Sequence, residues 1–455
     1  MTSFSFPKGF VWGAATAAYQ IEGAVAEGGR APSVWDTFCE LPGRVFEGQS
    51  GRVACDHYHR FEEDVKLMAE MGLKGYRFSI AWSRIMPEGT GRVNQAGLDF
   101  YKRLLDALER HGITPYATLF HWDSPQALED RFGSWQSPEM ANAFAEYCQV
   151  VVRALGGRIQ NWMTVNEIVC FTRSSYAVGR VPYSAPGTTL PNQQLVNQTV
   201  HHALLAHGKG AQAIRAASPG PCRVGIADNP ATFVPLAETP EHTEATLRAF
   251  RRGNGGVLVP ILTGEYDSGF LEDCGADAPV FSVEDFKHIA QPLDFLGINL
   301  YTASYVRASR HPRGFEELPF PRTYPTMNMP WLRFVPDSML WAARGVASLR
   351  GNRDLDLFIT ENGAACRDQL TQDGEVLDTD RILYLRENLR SLQRAIDSGE
   401  PYKGYFAWSL LDNFEWSSGY DRRFGLIHVN YDTQKRTPKA SAKWFAEVIR
   451  HNAVI

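Results

Sequence analysis

Eight short apolar runs, at residues 10–19, 75–85, 113–122, 161–167, 223–228, 293–301, 355–361 and 404–411, are separated along the whole chain by segments of helical character. Strands that alternate with helices pair in parallel, because each parallel connection needs a crossover, usually a helix. Eight such units predict an α/β fold, a (β/α)8 TIM barrel with extended loops on the catalytic face, as one domain over residues 1–455. A doubly wound open sheet is the other arrangement. The count of eight disfavours it, as does the lack of a Gly-x-Gly-x-x-Gly turn after the first run.

The intervening segments carry helical stripes. Ile382, Leu385, Leu389, Leu392 and Ile396 recur at spacings of three and four, as do Leu98, Tyr101, Leu105 and Leu108. Ser137-Pro138 and Thr437-Pro438 read as helix starts, and Gly72 and Gly112 as helix stops. The mixed-charge stretch 381–394 reads as the solvent face of a helix. Irregular stretches at 39–56, 179–192 and 304–329 are expected as loops on the catalytic face.

A net charge of -5 and the lack of a long basic run argue against a nucleic acid or an anionic membrane as partner. The first residues, Met1 to Lys8, show no basic segment followed by an apolar run, so neither a signal peptide nor a membrane span is expected. Seven cysteines, an odd number without a Cys-x-x-Cys pair, fit free thiols in a cytoplasmic protein. The spacing of His57, His59, His201, His202 and His207 does not make a metal site.

In a barrel, chemistry gathers at the C-terminal ends of the strands. The first run ends at Gln20, the second carries Arg77, and the third ends in His121-Trp122. The fourth ends in Asn166-Glu167, the sixth carries Asn299 and Tyr301, and the seventh ends in Glu361-Asn362. The eighth carries Trp408 and runs on to Glu415-Trp416. This set lacks a three-ligand metal cluster and a Ser or Cys nucleophile beside a base, so no metal or cofactor is expected. It suits a neutral polyhydroxylated ligand, with amides and carboxylates bonding hydroxyls and a ring face lying on Trp.

Two carboxylates in such a pocket point to glycoside hydrolysis. One protonates the leaving oxygen; the other attacks the anomeric carbon or activates water. Arg77, inside the barrel, is placed to hold one Glu ionised, leaving its neighbour protonated for acid work. The plainer reading of Arg77 is an interior salt bridge.

These residues belong to an ordered series that resembles glycoside hydrolase family 1, the β-glucosidase family with a (β/α)8 fold. The series runs from Phe6 to about Phe445. It includes Trp12-Gly13-Ala14-Ala15-Thr16-Ala17-Ala18-Tyr19-Gln20-Ile21-Glu22-Gly23, Tyr76-Arg77-Phe78-Ser79, His121-Trp122-Asp123 and Thr360-Glu361-Asn362-Gly363. Further on come Trp408-Ser409-Leu410-Leu411-Asp412-Asn413-Phe414-Glu415-Trp416 and Arg423-Phe424-Gly425.

The resemblance implies a β-glucosidase acting on a small β-glucoside, without cofactor. It implies Glu361 as nucleophile and Glu167 as general acid, then general base. Asn166 would hold the sugar 2-hydroxyl, while Arg77, Tyr301 and Asn299 support the catalytic pair. Gln20, His121, Trp122, Trp408, Glu415, Trp416 and Phe424 would hold the glycone. Trp331 and Cys170 would lie on the aglycone side, and Arg423 would be structural. The implied alternatives are a β-galactosidase, β-fucosidase or 6-phospho-β-glucosidase of the same family, a transglycosylase, or a silent sugar-binding protein. An anionic Glu415 would repel a 6-phosphate. One departure stands beside the acid: the family usually has Pro there, and this chain has Ile168.

Overall fold

A computed structural model describes residues 5–455. Among these residues, eight parallel strands close into a barrel. They are β1 (Val11–Ala15), β2 (Gly75–Ser79), β3 (Thr114–Phe120), β4 (Asn161–Asn166), β5 (Arg223–Asp228), β6 (Phe295–Asn299), β7 (Asp356–Asn362) and β8 (Tyr402–Trp408). Each strand pairs with its sequence neighbours, and β1 closes the ring by pairing with both β2 and β8. The predicted (β/α)8 barrel is the observed fold.

The floor of the barrel is aromatic. Tyr116 packs on Phe406 at 4.9 Å and on Phe358 at 5.8 Å, and Phe295 meets Phe358 at 5.5 Å between ring centroids. Gly13 makes room for this layer, since a Cβ there would stand 2.4 Å from the Phe406 ring. These rings plug the N-terminal end and leave the opposite end open to polar side chains.

The surrounding helices follow the apolar stripes. Helix Gln95–Arg110 buries Leu98, Tyr101, Leu104, Leu105 and Leu108 and stops before Gly112, whose φ is +65°. Helix Thr379–Asp397 buries Tyr384, Leu385, Leu389 and Leu392. Full burial of such a side chain is worth roughly 1.5–3 kcal/mol.

Several expected boundaries shift. The first run ends as a strand at Ala15, and Gln20 lies on the short helix Ala18–Ile21. The second run likewise breaks into β2 and the helical turn Trp82–Ile85. Thr437-Pro438 closes a strand, Arg436–Pro438, paired with Ile427–Val429, and the last helix starts at Ala440. The stretch 304–329 is not all loop. Ser304–Ala308 and Phe315–Leu318 form a small sheet with Phe233–Pro235.

The reading of 381–394 as a solvent face fails at its first residue. Arg381 is buried and bonded to Asp378 and, at 2.8 Å, to Asp368. Asp368 also receives Lys439, which reaches Asp412 at 2.6 Å, and Asp412 takes Arg423 at 2.7 Å. This network anchors the segments that carry Glu415 and Phe424. Gly425 belongs to it as well, its N–H donating to Asp412 at 3.0 Å.

His57 is buried and paired with Asp64 at 2.7 Å, and His201, His202 and His207 are buried in helix Gln193–Ala217. Among the described residues, no helix is long and apolar enough to cross a membrane.

Candidate active site

The open end of the barrel holds a closed circuit of hydrogen bonds between strands. Arg77 on β2 donates from Nε to Thr118 Oγ1 (3.2 Å) and from Nη2 to Asn166 Oδ1 (2.5 Å). Its Nη1 reaches Glu361 Oε1 (2.6 Å) and the carbonyl of Thr360 (3.2 Å). Asn299 on β6 donates to Asn166 Oδ1 (2.9 Å) and Glu167 Oε1 (2.8 Å), and accepts from Thr360 Oγ1 (2.7 Å). Strands β2, β4, β6 and β7 are thereby tied at their ends. Arg77, Asn166 and Asn299 are all buried.

The two glutamates are held unequally. Glu361 receives the Arg77 guanidinium on one oxygen and the Tyr301 hydroxyl, at 2.8 Å, on the other. Burial raises its carboxyl, and Arg77 and Tyr301 pull it back toward the ionised form. Among the described residues no such cation is paired with Glu167. Burial, and then the charge of Glu361, push its carboxyl up to about 8, against hydrogen bonds from Asn299 and the Cys170 thiol. Of the pair, Glu167 is the one whose surroundings favour the protonated form.

His121 is buried, and burial together with the nearby Arg77 charge holds it well below its usual pKa. Both donors to Asn166 bind Oδ1, so the Asn166 Nδ2 is left to donate to His121 Nε2 at 3.2 Å. The imidazole is therefore neutral, with its proton assigned to Nδ1. Trp122 donates from Nε1 to the Asn166 carbonyl at 2.9 Å.

Aromatic rings wall the site. Trp416 packs on Trp122 at 4.7 Å and Trp35 at 4.6 Å, and Trp408 stacks on His121 at 5.8 Å. Tyr301 meets Trp331 edge-on at 5.7 Å and Phe424 at 6.2 Å. Gly363, just past Glu361, permits the close crossing of β7 and β8, because a Cβ there would overlap the Trp408 carbonyl at 1.7 Å. Three residues at the rim hold a positive φ: Trp122 (76°), Glu167 (52°) and Trp416 (52°). Such backbone costs about 1–3 kcal/mol each and is kept where surrounding structure fixes it.

A cavity of about 370 Å³ opens onto these groups. Glu167, Glu361, Tyr301, His121, Trp122, Trp408, Glu415, Trp416, Phe424, Cys170 and Trp331 all line it. Arg77, Asn166 and Asn299 stand behind that wall. Gln20 also stands behind it, donating to Glu415 Oε2 at 3.3 Å and to the Phe414 carbonyl at 2.7 Å. Burial pushes the Glu415 carboxyl up to about 8, with Asn413 and Gln20 opposing the rise and the Glu361 charge adding to it. Burial thus works against the anion expected at Glu415.

Sequence reasoning missed Trp35, Ser174, Tyr183, Ser184, Asn229, Met329, Ser417 and Ser418, which also line the cavity. Asn229 had a signal: it directly follows β5, the one strand whose end received no assignment. Ser417 and Ser418 directly follow the assigned Trp416. Trp35 lies on the short helix Val34–Cys39, and the others come from loops without periodicity.

A family model described as glycosyl hydrolase family 1 matches residues 2–454. A 1,4-beta-D-glucan glucohydrolase of Thermotoga neapolitana is 41% identical over 453 residues, covering 99% of each chain. Beta-glucosidase A of Acetivibrio thermocellus is 40% identical, over 99% of this chain and 100% of that one. The family 1 glycoside hydrolase of Thermotoga maritima, solved with a cyclophellitol analogue as transition-state mimic, superposes with a TM-score of 0.90 at 39% identity, each chain covered in full. Whole-length likeness, barrel and paired glutamates agree, and the chain belongs to glycosyl hydrolase family 1.

Proposed function

We propose that this chain is a retaining β-glucosidase, working as one catalytic domain in the cytoplasm on small β-glucosides. The observation that carries the reading is the unequal hold on two carboxyls facing one cavity. Glu361 is clamped by a cation and a hydroxyl, whereas Glu167 is set to be protonated. The names of the relatives support a glucosyl substrate.

In the first step a Glu361 oxygen attacks the anomeric carbon. The bond from that carbon to the leaving oxygen breaks, and the Glu167 proton passes to that oxygen. In the second step Glu167, now a carboxylate, takes a proton from water. The water oxygen bonds to the anomeric carbon, and the Glu361 ester bond breaks. Two inversions give net retention. Direct attack calls for the carboxyl groups to stand about 5–5.5 Å apart. Arg77 and Tyr301 hold the nucleophile in place, and Trp408 underlies the ring.

NMR of the first product from an aryl β-glucoside tests the reading: the β-anomer is expected first, and an initial α-anomer refutes it. Glu361→Ala should abolish turnover and, with azide, give an α-glucosyl azide. Glu167→Ala should still cleave activated aryl glucosides, which need little protonation, and give the β-azide. The reverse pattern would exchange the two roles. An aryl glycoside panel settles gluco against galacto and fuco.

A further inference from the structure

The segment after Glu167 is gripped from β5. Strands β4 and β5 pair Asn166 with Ala227, and the Glu167 N–H donates to the Ala227 carbonyl at 2.9 Å. The next residue on β5, Asp228, therefore runs beneath Glu167 and Ile168. Asp228 is buried and does not line the cavity. Ile168 opens the short helix Ile168–Phe171, so its N–H has no acceptor within that helix. Ile168 is itself fully buried, and a buried N–H needs a partner. The N–H groups of Ile168 and Asn229 lie against the Asp228 carboxylate and favour its charged form. Proline in place of Ile168 would have no N–H to give. Asn229 adds a second grip, donating from Nδ2 to Cys170 Sγ at 3.4 Å, while the Cys170 thiol bonds Glu167.

We propose that Asp228 is a positioning residue for Glu167: it holds the acid-bearing turn through the Ile168 N–H and sets a negative charge behind the acid, so that Glu167 keeps its proton until the leaving oxygen takes it. The inference rests on the reading of Glu167 as the acid.

The charges around Glu167 are few. Glu361 faces it from β7, Tyr301 from beyond β6, Cys170 from its own turn and Asp228 from β5. The Arg77 guanidinium is committed to Glu361, Asn166, Thr118 and Thr360. Among the described residues Asp228 Oδ1 has no hydrogen-bond partner. Burial raises the Asp228 carboxyl to about 6, with the two N–H groups opposing, so it is charged where the enzyme would work in neutral solution. Its charge adds to the rise of Glu167 after burial and Glu361.

Asp228→Asn keeps the shape and removes the charge. The alkaline limb of kcat/KM for a glucoside with a poor leaving group should move to lower pH, by on the order of half a unit or more. Activity at pH 6 should change little, and that at pH 8 should fall by about twofold or more. The 2,4-dinitrophenyl glucoside should not respond, because its departure needs no proton. Ile168→Pro removes the same hydrogen bond without touching the carboxyl. It should move the limb in the same direction, and the double variant should move it no further than Asp228→Asn alone. This arm stands even where Asp228→Asn does not fold. A limb that stays in place in both variants, or equal losses for good and poor leaving groups, overturns the proposal. If Glu167→Ala retains full activity on methyl β-glucoside, the acid assignment itself fails; if Glu167→Ala behaves as an enzyme without its acid, an unmoved limb removes only the role of Asp228.

Discussion

Arg77 Nη1 stands 2.6 Å from Glu361 Oε1, with both side chains all but sealed from solvent. A buried ion pair of this kind is costly to break from one side, about 3–5 kcal/mol, because the remaining charge is left without a partner. Here the remaining charge would be the proposed nucleophile. Arg77→Met should therefore raise the pH at which Glu361 ionises and lower kcat/KM by about 100-fold or more, in line with the loss of one preorganised electrostatic partner. Tyr301→Phe, which removes only a neutral donor from the other oxygen, should cost less. Steady-state kinetics on an aryl β-glucoside compare the two, and a larger loss from the tyrosine variant would contradict the ranking.

The pH profile of kcat/KM should be bell-shaped. Its alkaline limb should lie near pH 8, where Glu167 gives up the proton needed for the leaving oxygen. The acid limb belongs to Glu361, which must be ionised to attack, and activity falls there as pH drops. Burial lifts that carboxyl, so the limb should lie above the usual Glu range. Burial pushes the Glu415 carboxyl up to about 8 as well, and Glu415→Gln should separate the two contributions. An alkaline limb that disappears in Glu415→Gln would remove Glu167 as its source.

A 6-phosphorylated substrate should be poor. Among the described residues lining the cavity there is no Lys or Arg. Arg423 is spent on Asp412 and the Val429 carbonyl, and Arg422 pairs with Asp421. A phosphate would thus enter an aromatic pocket beside Glu415 with no cation to receive it. We expect p-nitrophenyl β-glucoside to exceed its 6-phosphate by at least about tenfold in kcat/KM, a difference of about 1.4 kcal/mol. The gap should widen above pH 8 as Glu415 ionises. Equal turnover of the two would set aside the glucoside assignment.

Lys439 should matter for stability more than its sequence context indicates. Its ammonium is buried between Asp412 and Asp368. Lys439→Met should destabilise the protein by about 3–5 kcal/mol, read from chemical unfolding. Burial raises the Asp368 carboxyl, but Lys439 and Arg381 outweigh it and hold the group below the usual range. This stabilisation is complete above the unfolded carboxyl pKa and is lost as pH falls through the lower folded value, so wild type should weaken in acid. Loss of less than about 1 kcal/mol in the variant would place the network among surface-like pairs.

The barrel was legible because eight apolar runs and the intervening helical stripes are local patterns. The ends of the runs were less so. Phe10 through Tyr19 reads as one apolar stretch, yet tertiary packing turns Ala18–Ile21 into a helical turn that brings Gln20 behind Glu415. Arg381 was misread because charge at helical spacing normally faces water, and only the fold brings Asp368 and Asp378 to meet it. Thr437-Pro438 carries good helix-start residues, but pairing with Ile427–Val429 claims them for a strand. Within the site, the motif-bearing strand ends pointed to their residues, whereas Tyr183 and Met329 arrive from loops whose paths no local pattern encodes, and Trp35 from a short helix before the second strand.

The circuit through Arg77, Asn166, Asn299 and Thr360 has a consequence for how such a protein can change. Its members sit at the ends of strands, and barrel closure fixes where those strands lie. The loops above contribute outer walls such as Tyr183 and Trp331. Exchanging those loops between relatives should retune which leaving groups are admitted while the bond-cutting centre stays in register. Descent can then redraw the doorway freely, because the hearth is built into the foundations.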